Sequence, residues 1–389
     1  MHETALDCQR PLFSLPADTH YLNCAYMAPL ARSVEQAGLA GLERTRLPSD
    51  IVADDFFAPS NRVRSRFAEL IGAPSEGVAL VPSVSYGLAC VANNLPLQAD
   101  REIVVAAGQF PSNYYPWSRR AREVGARLTV VEPPENRTRR ASGWSQRLLE
   151  AIGPHTAIVA LPQIHWSDGT RFDLAAIGAR AREVGADLVL DVTQSAGALD
   201  LELDRVRPTA IVAAAYKSLF APYGTAFAWL APALYEGRPL EETWIARRGS
   251  EDFARLVDYS EQYRPGAARF DVGERSSPIL IPMLEEALRL VASWGASRIQ
   301  AYAAQLLEPH LEELAELGCH VEDARWRSAH LVGVRPPRGT DLEALRQELA
   351  RRSVHVSIRG DAVRVSIQVF NDASDLEALV AALRSVLAG

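Results

Sequence analysis

Residues 211–230 read IVAAAYKSLFAPYGTAFAWL and contain Lys217, the only lysine among 389 residues. Lysine and arginine together number 41, so the other 40 basic residues are arginines. A bias toward arginine removes lysine wherever positive charge is all that is needed. It cannot remove a lysine whose amine acts as a nucleophile, because arginine stays protonated and forms no Schiff base. The surroundings agree. Residues 210–215 form a short apolar run, the pattern of a buried strand, and 218–224 carry the Pro and Gly of a turn. A strand end in an α/β sheet is where ligands bind. The alternative, a surface lysine kept by chance, suits an apolar strand exit poorly.

Outward from this stretch, apolar runs alternate with helical patterns. Strands are predicted at 77–81, 102–107, 127–131, 156–161 and 187–191. Helices are predicted at 86–94, 112–124, 145–152 and 174–184, with 133–144 as a polar surface loop. The alternation predicts an α/β fold with a mainly parallel central sheet and helices on both faces. The hexapeptide AREVGA occurs at 121–126 and again at 181–186, each time as a helix end stopped by Gly and leading into a strand. The flanks differ, so the repeat marks shared stop chemistry and not a duplicated domain. Before the sheet, helices are predicted at 32–47 and 60–71. After residue 232 the pattern loosens, and 232–275 reads as loops over the site. Helices follow at 279–294 and 299–317. The tail reads strand 329–334, helix 341–352, strands 355–359 and 362–367, and helix 375–387, a small C-terminal α+β domain. Three parts result: an N-terminal segment 1–30 packing near the site and the small domain, a large domain 31–280, and a small domain 281–389. The helix from 279 joins the last two.

Size and composition narrow the function classes. A chain of 389 residues suits two domains. A hydrophobic fraction of 48% and a charged fraction of 23% are ordinary for a soluble globular protein. The net charge of −7 argues against nucleic acid or an anionic membrane as a partner. No apolar run is long enough to span a bilayer, and the start MHETALDCQRPLFSL lacks a signal-peptide core. Cys8, Cys24, Cys90 and Cys319 are scattered with no CxxC pair. This predicts reduced thiols in a cytoplasm, with no disulfide frame and no zinc site.

The candidate site is assembled from strand ends. Asp191 closes the apolar run LVLD, where a side chain points into the ligand crevice, although an Asp capping a turn reads the same way on position alone. Lys217 beside it changes the weighing. A carboxylate and a Schiff-base lysine in one crevice suit pyridoxal 5′-phosphate (PLP), whose pyridine nitrogen needs an acid partner if the ring is to absorb a carbanion's electrons. Ser83-Val84-Ser85 lies between a strand and a helix start, which can bind a phosphate or simply cap the helix. Phe110, after another strand, can stack on a flat ring or fill core. Arg364 sits between Val363 and Val365, as a carboxylate partner or as an edge-strand arginine facing water.

These residues carry a resemblance. The chain resembles a fold-type-I PLP enzyme of the class V aminotransferase superfamily, the group of cysteine desulfurases, kynureninases and serine–glyoxylate-type aminotransferases. The similarity runs from about His20 to the end and is strongest in DVTQSAG, AAYKSLFAPYG and RVSIQVFN. The 26-position spacing from Asp191 to Lys217 fits the group. The resemblance implies that Lys217 holds the cofactor, that Asp191 meets the pyridine nitrogen, and that Gln194 lies near the ring hydroxyl. It implies phosphate contacts from Val84 N–H and Ser85, and a substrate-carboxylate contact from Arg364. It also implies a homodimer in which a partner-subunit loop closes the phosphate site. That loop would be GERSSP, with Ser276 and Ser277 as candidates.

The departures bear on chemistry. Desulfurases resemble this chain less where they stack a His on the ring and place a His before the lysine, since the matching residues here are Phe110 and Tyr216. Both of these are similar to kynureninases, whereas Gln194 sides with desulfurases. Trp166, in QIHWSDG, stands where relatives use Asn or Tyr near the cofactor oxygen. Residues 320–389 contain no Cys, so the usual persulfide route of desulfurases is absent. Cys24 and Tyr26, in YLNCAYMAP, match a stretch bordering the substrate pocket; for Cys24, packing as a small buried thiol is the alternative. Arg247 and Arg248 can meet an acidic substrate group or remain solvated. The expectation is a PLP-dependent aminotransferase or β-elimination lyase acting on an α-amino acid. The alternatives are kynureninase-like hydrolysis, a desulfurase-like protein without its Cys, and a non-catalytic PLP or amino-acid binder.

Overall fold

Strands and helices alternate along most of the chain, and the computed structural model describes residues 5–387. Residues 1–4 of the expected N-terminal segment and 388–389 of the expected small domain lie outside the described residues. The chain begins with β1 (His20–Tyr21), α1 (Arg32–Arg44) and α2 (Ala58–Ile71). It continues through β2 (Val78–Val81), α3 (Val84–Asn94), β3 (Glu102–Ala106), α4 (Tyr115–Val124), β4 (Arg127–Val131), α5 (Arg140–Ala151), β5 (Thr156–Pro162) and α6 (Leu174–Val184). Next are β6 (Asp187–Asp191), α7 (Leu203–Val206), β7 (Ala210–Ala214) and β8 (Ala226–Leu230). The remainder holds α8 (Leu280–Trp294), α9 (Ala296–Leu307), α10 (Leu311–Glu316), β9 (His320–Val321), β10 (Leu331–Arg335) and α11 (Leu342–Arg351). It ends with β11 (Val354–His355), β12 (Ser357–Arg359), β13 (Ala362–Ser366) and α12 (Ala373–Leu387).

The central sheet has seven strands in the order β2-β8-β7-β6-β5-β3-β4. β7, β6, β5, β3 and β4 are mutually parallel, and β8 runs antiparallel to both of its neighbours. Every residue of β3, β5 and β7 is buried, because helices cover both faces and the strands need no polar side. Alternate residues split between two cores. Val104, Val159, Leu190 and Ile211 face one core with Phe67, Trp144 and Val291, while Ile103, Ile158, Val189 and Val212 face the other with Leu88 and Trp117. On the first face the rings of Phe67 and Phe227 stack with centroids 4.0 Å apart. Both copies of AREVGA end their helices as expected. Gly125 and Gly185 take φ values of +77° and +70°, a left-handed cap that leads into β4 and β6.

The last part of the chain forms a four-stranded antiparallel sheet, β12-β13-β10-β9, packed with α11 and α12 around its own apolar core. β1 pairs in parallel with β11 as a separate two-stranded sheet, and an isolated bridge from Asn23 to Ser366 of β13 ties the N-terminal segment to the four-stranded one. α8 packs against α1 and α2.

Several expected boundaries move. α5 starts at Arg140, inside the stretch read as a loop; Ala141, Trp144 and Leu148 are buried, and Gln146, Arg147 and Glu150 form the exposed side of an amphipathic helix. The helix expected at 299–317 is interrupted by a 3-10 turn at Glu308–His310, where Pro309 lacks the N–H that a continuous helix requires. α3 begins at Val84 because Ser83 caps it by accepting from Tyr86 N at 3.2 Å. Among the described residues, no helix is long and apolar enough to cross a membrane.

Candidate active site

Five strand ends meet at one edge of the large sheet. β2 leads into Ser83–Ser85, β3 into Phe110, β5 into Trp166, β6 ends at Asp191, and β7 leads through Tyr216 to Lys217. Together they line a cavity of about 350 Å³, with Val84, Ser85, Phe110, Trp166, Asp191, Gln194, Tyr216 and Lys217 all on its wall. A second hollow of about 460 Å³ opens beside it and shares Phe110, Trp166, Tyr216, Lys217 and Tyr223. Its remaining wall comes from Ala25, Tyr26 and Met27 of the N-terminal segment and from Arg359 and Arg364 of the small sheet.

Lys217 is 6% exposed. Its Nζ lies 5.1 Å from the centroid of the Phe110 ring and 5.5 Å from that of Tyr216. Burial lowers its pKa to about 8; Asp191 opposes the shift, and Arg364 and Arg359 add to it. About a tenth of this amine is therefore unprotonated at pH 7, against well under about 0.1% for an ordinary lysine, and the free amine is the state that can attack a carbonyl. Asp191 is buried, and burial pushes its carboxyl up while Thr193 and Lys217 pull it down. Its Oδ1 accepts from Thr193 N at 3.0 Å. Gln194 donates from Nε2 to the Ala25 carbonyl at 3.1 Å, linking the β6 exit to the N-terminal segment.

Trp166 is held at both ends. Its Nε1 donates to Gly108 O at 2.7 Å, and its carbonyl accepts from Arg364 Nη1 at 2.8 Å. Its ring meets Phe110 edge-on, with centroids 5.5 Å apart. The loop around it is pinned by Asp168, which pairs with Arg140 at 3.1 Å and with Arg335 of β10. Arg364 is 1% exposed and lies on β13, between β12 and β10, so it is not an edge arginine facing water. Its Nη2 reaches Asn23 Oδ1 at 3.4 Å and Ser357 Oγ at 3.3 Å, and its Nε has no partner among the described residues. Burial first, and then Arg359, lowers its pKa to about 10, still protonated at neutral pH.

Some expected residues stand elsewhere. Cys24 is buried, contacts the Lys217 carbonyl at 3.8 Å, and does not reach either wall. Burial raises its thiol far above the ordinary range. The segment 232–275 was expected over the site, yet none of it lines the two hollows. Arg247 pairs with Glu242 and lies over the Tyr263 ring at 4.0 Å, and Arg248 is exposed. Ser276 donates to Phe56 O, and Ser277 accepts from Leu280 N at 3.2 Å; neither is on the wall within its own chain. Arg359, Thr193 and Tyr223 line the site without having been expected there. Arg359 carried one readable signal: it precedes a Gly-Asp turn and alternates in strand register toward Arg364.

The aminotransferase class-V profile matches residues 52–379. The chain belongs to the aminotransferase class-V family. Within it, the chain is 27% identical over 350 residues to isopenicillin N epimerase of Streptomyces clavuligerus, a match covering 86% of each chain. It is 29% identical over 288 residues to kynureninase of Deinococcus radiodurans, covering 69% of this chain and 66% of that one. The structure of apo cysteine desulfurase from Thermococcus onnurineus NA1 matches 100% of both chains with a TM-score of 0.82 at 18% identity. The fold is therefore the PLP-transferase type I fold, as expected.

Membership of the class-V family makes pyridoxal 5′-phosphate the cofactor, and the residues present suit it. The eleven-residue helix α3 presents its N-terminus, with two serine hydroxyls, to the cavity as an anion site. A buried carboxylate, a buried amine of lowered pKa and an aromatic face share the same wall. These are the groups that a phosphate, a pyridine nitrogen, an aldehyde and a flat ring require.

Proposed function

We propose that the protein is a PLP-dependent aminotransferase acting on an α-amino acid, with β-elimination from the same substrates as the second reading. The observation that carries the proposal is Lys217: a buried amine with its pKa near 8, in one hollow with the buried Arg364. Lys217 holds the cofactor aldehyde, and Arg364 takes the substrate carboxylate with its remaining donors. Once released, the Lys217 amine removes the α-proton as general base and can return it elsewhere as an acid. When bound, the cofactor supplies an electron sink for the resulting carbanion. With the cofactor bound, Asp191 would keep the pyridine nitrogen protonated, Gln194 would meet the ring hydroxyl, and Phe110 would stack on the ring. Val84 N–H and Ser85 hold the phosphate, while Tyr216 and Trp166 close the flanks. Tyr26 borders the substrate.

Transamination needs one acid–base group that serves two carbons. The outer hollow suits that economy: beyond Lys217 the described residues on its wall are arginines, tyrosines and apolar side chains, with no carboxylate, histidine or thiol among them. Elimination remains the second reading because Tyr26 and Tyr223 bring hydroxyls that can protonate a leaving group. We further propose a homodimer in which Ser276 and Ser277 of a second copy complete the phosphate site. The test is a half-reaction with a panel of amino acids. Conversion of the cofactor to its amine form with release of a 2-oxo acid supports transamination. Catalytic release of ammonia with a 2-oxo acid supports elimination. If neither occurs and kynurenine is hydrolysed, or bound amino acids return unchanged, the proposal falls.

A further inference from the structure

The strand pair β12–β13 puts two arginines on one face. Ser357 is paired with Arg364 and Arg359 with Ala362, so Arg359 and Arg364 stand diagonally across the hairpin on the same side. Both line the outer hollow next to Lys217. The Arg359 guanidinium lies 5.5 Å from the centroid of the Trp166 ring, and that of Arg364 lies 5.8 Å from it.

Neither arginine has an acid partner among the described residues. The acid nearest Arg359 in sequence, Asp361, is engaged elsewhere, with Arg137 at 2.6 Å and Arg335 at 3.4 Å. The Nε atoms of Arg359 and Arg364 are both buried without a hydrogen-bond partner. Among the described residues, Asp191 is the only carboxylate on the walls of the two hollows, against three cations: Lys217, Arg359 and Arg364. Like charges held together at a partly buried surface are unfavourable unless an anion joins them. One substrate carboxylate accounts for one guanidinium and leaves the other.

We propose that Arg359 binds a second anionic group on the substrate, so that the site selects amino acids with an acidic side chain. This rests on the proposed function for the α-carboxylate at Arg364 and adds the side-chain class. The Trp166 ring lies beside both guanidinium groups, and Phe110 and Tyr26 line the same hollow.

The test uses the cofactor-loaded protein and reads binding from the cofactor's absorbance for L-aspartate and L-glutamate against L-asparagine and L-glutamine. The acids are expected to bind about tenfold or more tightly than their amides. Arg359→Gln should bring that ratio to within about twofold, and Arg359→Lys should restore part of it. Calorimetry with succinate and glutarate against butyrate gives the same comparison without any reaction at the cofactor. Equal affinity for acids and amides in the unaltered protein overturns the inference, as does a ratio that survives in Arg359→Gln. A change of oligomeric mass in Arg359→Gln with an unchanged ratio also overturns it and assigns Arg359 to a subunit interface. If no amino acid perturbs the absorbance, the functional reading falls, while calorimetry still decides whether the arginine pair takes a dianion.

Discussion

Arg364 Nη1 donates to the carbonyl of Trp166 at 2.8 Å, joining residues 198 positions apart. One end belongs to the small sheet and the other to a loop that leaves the large sheet. The guanidinium is thereby oriented before any ligand arrives. Arg364→Ala is expected to raise KM for the amino acid by roughly 30-fold or more, the worth of a charge-assisted hydrogen bond. Arg364→Lys should recover only part of this, because a point charge does not replace the fork. Steady-state kinetics on the best substrate from the panel provide the check.

Lys217→Ala should abolish turnover, by about 10³-fold or more for a residue that is both attachment point and base. The absorbance of the lysine-linked cofactor should vanish with it. In the unaltered protein, borohydride reduction followed by digestion should place the pyridoxyl mass on the peptide containing Lys217. A tag found on any other peptide refutes the assignment.

The lowered pKa of Lys217 sets the pH dependence of cofactor uptake by the apo-protein. Only the free amine attacks the aldehyde, so the incorporation rate should climb as pH rises and level off above about 8. An ordinary lysine would keep climbing toward about 10.4. Arg364→Gln removes a positive neighbour, so the plateau should move to higher pH. Stopped-flow absorbance across pH 6 to 10 measures both curves. A plateau that moves downward contradicts the electrostatics.

Asp191→Asn keeps the shape of a buried side chain and removes its charge. We expect kcat to fall about 10²-fold or more, with the protein folded and the cofactor still attached. Circular dichroism and the cofactor absorbance confirm the fold, and kinetics give the loss. An unchanged kcat would mean that Asp191 only caps the turn at Thr193.

Asp168 holds Arg140 and Arg335, and through them the Trp166 loop and β10. Burial alone would raise its carboxyl, yet His165, Arg335 and Arg140 together hold it well below the usual carboxylate range. Burial lowers the pKa of His165 itself, so near neutral pH the two arginines carry the effect. A depressed folded pKa gives a contribution that is complete above about pH 4, the unfolded value, and is lost as pH falls through the folded one. Asp168→Ala should cost about 3–5 kcal/mol, since it strands buried guanidinium charge. The urea midpoint at pH 7 tests this. A midpoint unchanged from the unaltered protein would show that the arginines find water instead.

Much of this arrangement was legible in the chain. Fully apolar strands, glycine stops and a single lysine are local signals, and they suffice for six of the seven strands of the large sheet and for the positions of Lys217 and Asp191, while β8 was not read as a strand. Boundaries were lost where polar surface hid a helix, as before Trp144, and where one proline split a long one. Arg359 escaped notice because its meaning depends on Asp361 turning away to Arg137 and Arg335, which sequence spacing does not reveal. The exclusion of 232–275 from the wall was equally invisible, since a loop's destination depends on contacts far away in the chain.

The recessed position of the sole ε-amine has a practical side. Reagents that acylate or crosslink side-chain amines find no lysine on the outer surface of the described chain, and a small aldehyde admitted to the cavity has one target. Apart from the chain's α-amino group, amine-directed probes applied to the apo-protein should therefore report on access to a single interior side chain.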